Sequence, residues 1–235
     1  MCASHLKLRV RVAATASIYV KRFYLRNAFM DHDPMAYAPA CILLAAKVEE
    51  TPQIWPKHIL DQWSKVISLK LVDHVDKDAV LEAECRVLTE LNTSLLMHHP
   101  YRPLELFLSD AAAARECTSN AWSMVNDSFI FDVGLSHPPY IIALACMYMS
   151  SVMGEKDLQH WYTNSNADTA VIHEVMQEML KGYDLMGSAD FGRLKEEAQR
   201  VVIGAGKARA KAAKPRPPKA ADDPVEAGVS PKPLG

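Results

Sequence analysis

The stretch AYAPACILLAAKVEE, from Ala36 to Glu50, constrains the fold of this chain more than any other. Wound as a helix it is apolar on every side until Lys47, Glu49 and Glu50, and a helix with no polar face belongs inside a bundle. Ala36, Ala38, Ala40, Ala45 and Ala46 are small enough to let neighbouring helices approach closely, while Ile42, Leu43 and Leu44 supply apolar area. Asp33-Pro34 reads as an N-cap followed by proline at the first helical position, and Thr51-Pro52 as the stop. The pattern returns later in the chain, where PACILLAA at Pro39 to Ala46 is echoed by PYIIALAC at Pro139 to Cys146. This indicates an internal repeat, and with it two helical bundles rather than one.

Length and composition agree. The chain has 235 residues, 49% of them hydrophobic, enough for two cores of roughly 100 residues each. The five cysteines, at 2, 41, 85, 117 and 146, show no CxxC and no paired spacing, so they read as small buried hydrophobes in a reducing compartment. The apolar run from Pro138 to Val152 is too short and too interrupted by serine to span a bilayer, which predicts a soluble intracellular protein. From Gly204 on there are seven Lys/Arg against three Asp/Glu, which leaves the preceding body acidic and poorly suited to nonspecific nucleic-acid binding.

Strand signals are nearly absent, and the periodicity predicts an all-α chain. Helices are expected over 9–30, 36–50 with its start at Asp33-Pro34, 54–71 and 76–91, then 103–113, 116–133, 138–153, 157–163, 168–185 and 191–201. His98-His99-Pro100 breaks the pattern and marks the junction between bundles. The two adjacent histidines lack the spacing of a helical zinc pair and read as solvated loop residues. The organisation expected is a first bundle over 1–98, a second over 99–203, and a disordered Lys/Pro/Ala-rich tail over 204–235. KPRPPK in that tail suits a nuclear-import patch, a polyproline ligand, or a solvated segment with no specific role. The first bundle is expected to lack its opening helix, because Met1 to Leu8 is too short to hold a stable one.

One residue breaks the apolar stripe of the fourth helix. Glu84 lies four residues after Val80 and four before Leu88, and a carboxylate there needs a partner. Lys47 is the obvious cation, and the pair either closes the end of the core or lines a surface completed by another protein. No nucleophile elbow, zinc-protease motif, glycine-rich loop or facing carboxylate pair appears, and GAGK at Gly204 lacks the spacing of a phosphate loop. No catalytic residue, cofactor or metal ligand is therefore expected, and the chain reads as an interaction protein.

These residues resemble a known family. HLKLR from His5, ATAS-Y-KRFY from Ala14, DP--YAPAC-LLAAKVEE from Asp33, LEAEC from Leu81, HPYRPL from His99, and AW--VND with PP-IIALAC between Ala121 and Cys146 are together similar to the cyclins of the C type. The resemblance implies two five-helix cyclin boxes, each built round a buried third helix. It also implies a noncatalytic, nuclear subunit that activates a cyclin-dependent kinase of the Mediator-associated type in RNA polymerase II transcription. In that reading Lys47, Glu84 and Glu50 face the kinase. Trp122, Asn126 and Asp127 border a groove for another subunit of the Mediator kinase module, and neither nucleic acid nor membrane is a direct partner. Lys21-Arg22-Phe23 stands where many cyclins read Asp-Arg-Phe, and the Met-Arg-Ala-Ile-Leu patch that docks Arg-x-Leu substrates has no counterpart. The alternatives are another transcriptional cyclin of the H, K or T type, and a DNA-binding helical repeat of the TFIIB kind, which would want a basic face.

Overall fold

The computed structural model describes residues 8–51, 56–67, 76–112, 115–165, 167–188, 190–194, 196–198 and 200–201. Among them there is no strand. The first half comprises α1 (Val10–Tyr24), α2 (Pro34–Val48), α3 (Pro56–Ile67) and α4 (Lys77–Glu90). The second comprises α5 (Tyr101–Asp110), α6 (Arg115–Ser128), the single turn α7 (Val133–Ser136), α8 (Pro139–Met153), α9 (Gln159–Asn164) and α10 (Thr169–Gly187). Further helical residues follow at 190–194, 196–198 and 200–201, and the expected tail lies outside the described residues.

Two apolar helices organise the two halves. Pro39 to Ala46 of α2 are all buried, and α1 and α4 pack along its length. In the second half α8 buries Ile141 to Met147 and is enclosed by α5, α6 and α10. The helices start as their sequences dictate. Asp33 accepts a hydrogen bond from Met35 N at 3.0 Å with Pro34 as first residue, and Asp76 and Asp168 cap α4 and α10 in the same way.

The repeat is real, but its register is not the one that PACILLAA and PYIIALAC suggest. Both central helices are 15 residues long and begin with proline, at Pro34 and Pro139. Both end with a glutamate in the left-handed region, Glu50 at φ 47° and Glu155 at φ 52°. In both, the next amide reaches back five residues, Thr51 N to Ala46 O at 3.0 Å and Lys156 N to Ser151 O at 2.9 Å, which is a Schellman closure. The offset is therefore 105, which superposes Ala38-Pro39-Ala40-Cys41 on Ala143-Leu144-Ala145-Cys146. A run of small and aliphatic residues matches itself in several registers, and only the helix ends decide between them.

Helix α1 stops earlier than its apolar period predicts. The chain turns after Tyr24, whose ring stacks on Phe29 at 4.2 Å and whose hydroxyl donates to His32 O at 3.1 Å, so 25–33 form a loop stapled by aromatics. The helix at 116–133 likewise breaks, into α6 and α7. Helix α1 is the wedge between the halves. Val12, Ala16, Tyr19 and Phe23 fill the first core, whereas Ala14 belongs to the second. Lys21, seven residues on from Ala14 and so on the same face, donates to Phe131 O and lies 3.2 Å from Asp132 Oδ1. Arg22, its neighbour, donates to Ser94 O at 2.9 Å. The Lys21-Arg22 departure thus has a structural use, since each cation ties α1 to a different later segment.

Candidate functional site

Helix α2 delivers Lys47 to the rim of the first bundle in its last turn, and α4 brings Glu84 beneath it. The Lys47 ammonium is 2.6 Å from Glu84 Oε1 and donates to Oε2 at 2.8 Å. The pair is asymmetric: the Glu84 side chain is 10% exposed and that of Lys47 57%. The buried carboxylate is therefore satisfied within the chain, and its cation still presents itself to solvent. Glu50 lies exposed one turn on, at a positive φ that costs a non-glycine residue about 1 kcal/mol. Glu49, between them, turns inward. Its Oε1 accepts from Thr15 Oγ1 at 2.7 Å, and Thr15 in turn lies 2.7 Å from His99 Nε2.

His99 corrects the expectation of two solvated loop histidines. His98 is exposed, but His99 is buried at the junction, against Tyr101 and Phe129 with ring centroids 6.3 and 5.7 Å away. Pro100 starts the next helix at once, so the second histidine is drawn in with Tyr101 while the first remains in the linker. Burial holds the His99 imidazole below the usual histidine range, against the pull of Glu49.

The second expected surface lies on α6. Asn126 Oδ1 accepts from Tyr101 OH at 2.9 Å, and Asp127 Oδ2 accepts from Tyr183 OH at 3.0 Å. Burial, and then the bond to Asp127, raises the Tyr183 hydroxyl, and burial raises that of Tyr101, so both phenols remain donors. Asn126 and Asp127 both line a cleft of about 450 Å³ whose other wall is α1, through Val10, Ala14 and Ser17. Asp127 also borders a second, apolar cleft of about 370 Å³ with Met149, Leu180 and Tyr183. Trp122 is half-buried and packs inward on Tyr101, ring centroids 5.2 Å apart, so it supports the wall rather than forming it. Periodicity did not single out Tyr101 and Tyr183. The only signal for them was that tyrosines inside apolar helices need partners for their hydroxyls.

Residues 1–96 match the family described as cyclin, N-terminal domain. The chain is 37% identical over 182 residues to Cyclin-C1-1 of Oryza sativa subsp. japonica, covering 77% of this chain and 70% of that protein. It is 33% identical over 220 residues to Cyclin-C of Rattus norvegicus, covering 91% of this chain and 76% of that one. The chain belongs to the cyclin C family. In fold it is similar to a chain of the CAK complex from Chaetomium thermophilum bound to ATP-γ-S, with TM-score 0.66 and 15% identity over 97% of this chain and 78% of that chain. The two helical bundles are thus cyclin boxes, and the Lys47-Val48-Glu49-Glu50 end of α2 belongs to a cyclin's central helix.

Among the described residues no cluster of His, Cys, Asp or Glu is placed to hold a metal ion, and no helix is long and apolar enough to cross a membrane. The thiols of Cys41 and Cys146 are pushed up to about 12 by burial, which keeps them protonated and unreactive.

Proposed function

We propose that this cyclin is the noncatalytic activating subunit of a cyclin-dependent kinase of the Mediator-associated type and works in the nucleus on RNA polymerase II transcription. The observation that carries the reading is the Lys47/Glu84 pair, a buried carboxylate holding a solvent-facing ammonium at the lip of the first box. Such a pair offers a polar anchor, already oriented, to the backbone of a partner segment. Glu50 extends the same lip with an exposed side chain. The mechanism is positional. A cyclin seated on the kinase moves the kinase's C helix inward, so that the kinase's own Lys/Glu pair holds the ATP phosphates.

The cleft bordered by Asn126 and Asp127, with Trp122 behind it, is the proposed docking place for a further subunit of the Mediator kinase module. Direct DNA binding is not part of the reading, since residues 115–187 carry nine Asp/Glu against three Lys/Arg. The test is reconstitution with the recombinant catalytic subunit of the Mediator-associated kinase. Phosphorylation of a polymerase C-terminal repeat peptide should require this chain and fall when Lys47 or Glu84 is replaced. A kinase whose activity is the same with and without the chain would overturn the reading.

A further inference from the structure

The end of α2 is gripped from both sides. Lys47 points toward α4, and Glu49, two residues and about 200° further round the helix, points toward α1 and the box junction. The Thr15 hydroxyl has one proton, which it gives to Glu49 Oε1, so its oxygen accepts from His99 and the hydrogen sits on Nε2. Nδ1 is then bare, buried and without a hydrogen-bond partner among the described residues. Three elements meet in this chain of bonds: the start of the second box, the wedge helix α1 and the KVEE end of α2.

We infer that Thr15 and His99 are positioning residues for kinase activation, holding Glu49 and through it the orientation of Lys47 and Glu50 at the partner-facing lip. The inference rests on the kinase-activator reading. It also makes the lip pH-sensitive. A second proton on His99 would place a buried N–H where no acceptor among the described residues faces it, beside Arg11 of α1 and His98 of the linker, with Glu49 of α2 in its favour and the Tyr101 ring across from it. The imidazole is held below its ordinary range, so the folded chain binds fewer protons than the unfolded one. The link is therefore whole above a pH of about 6.5 and is lost as pH falls below it, through the lowered value of the folded state.

The experiment titrates the full chain with the recombinant catalytic subunit of the Mediator-associated kinase, at pH values of about 7.5 and about 5.5. His99→Gln sets an amide nitrogen near the place of Nε2 and so keeps the donor without the titration. His99→Leu and Thr15→Val remove the link, and a thermal melt of each variant reports folding. At the higher pH the Leu and Val variants should bind about tenfold more weakly than wild type and the Gln variant within about threefold. Between the two pH values wild type should weaken while His99→Gln stays nearly flat. Folded Leu and Val variants that bind and activate like wild type overturn the inference, as does a Gln variant with the wild-type pH slope. Should His99→Leu not fold, Thr15→Val and His99→Gln decide it. Wild type failing to bind at either pH would sink the kinase reading, and the inference with it, whereas binding that ignores these variants sinks the inference alone.

Discussion

Lys21 of the first box spans to Asp132 of the second, Nζ to Oδ1 at 3.2 Å, and the same ammonium donates to the backbone carbonyl of Phe131. The two partners are unequally exposed, 20% for the Lys21 side chain and 76% for that of Asp132. Burial lowers the lysine's proton affinity, and the bond to Asp132 offsets part of that. A carboxylate so exposed is screened by water and contributes little, while the carbonyl bond is the sheltered one. Asp132→Asn should therefore cost less than about 0.5 kcal/mol and Lys21→Ala about 1–2 kcal/mol, the difference being the stranded carbonyl of Phe131. Denaturant titrations of the two variants check the order, and equal losses would contradict it.

Phe131 is held in turn from α10. A methyl group on Gly182 would sit 2.3 Å from Phe131 Cε1, far inside contact distance, and the Tyr183 ring meets Phe131 edge to face at 5.2 Å. Gly182→Ala must move the Phe131 ring, and with it the carbonyl that holds Lys21. The expected cost is about 1–3 kcal/mol, in the range of overpacked sites. It should not add to that of Lys21→Ala, since both variants release the same contact. A double mutant whose loss equals the sum of the singles would show that the two are independent.

At the lip, Lys47→Ala leaves the Glu84 carboxylate nearly buried without its cation, and Glu84→Ala leaves Lys47 free to swing into water. The first variant should lose about 1 kcal/mol of stability, the figure discounted because Lys47 is itself more than half exposed, and the second less. Kinase pairing should suffer more than folding in both, by about 2–5 kcal/mol in binding. Melting curves set beside kinase affinity distinguish the two effects. Unchanged affinity in folded variants would leave the pair a structural one.

At the cleft, Tyr183→Phe removes the donor that holds Asp127, at a cost of about 1 kcal/mol in stability. Tyr101→Phe does the same to Asn126. Activation by the third subunit should fall in Tyr183→Phe as it does in Asn126→Ala and Asp127→Ala, with kinase binding spared. Loss of kinase binding in step with activation would place these residues in the fold rather than the cleft.

What could be read beforehand divides by the kind of signal each residue gives. The central helices, their caps at Asp33 and Pro34, and the misplaced Glu84 with its partner Lys47 all follow from local periodicity and charge, and these were legible. The repeat register was not, because apolar residues carry no direction and the decisive Glu50 and Glu155 are set by backbone closure rather than by composition. His99 was missed for a different reason. Its partner Thr15 is 84 residues away and its burial depends on how two bundles meet, which no local pattern encodes.

The corrected register supplies a last test. Cys41 and Cys146 occupy equivalent places in the two boxes, both fully buried, with thiols pushed up to about 12. Neither can be alkylated until its own box opens, whereas Cys85 on the outer face of α4 is exposed. A brief alkylation pulse along a denaturant gradient, read by mass spectrometry, therefore reports each core separately. The boxes share α1, with Ala14 in the second core and Val12 in the first, and are tied by Lys21 and by the Thr15-His99 bond. Cys41 and Cys146 should accordingly become labelled at the same denaturant concentration in the wild-type chain, and Cys85 throughout. In Lys21→Ala combined with Thr15→Val the two midpoints should separate, because each core then opens without the other. Midpoints already apart in the wild type would show that the ties between the boxes are too weak to make one cooperative unit.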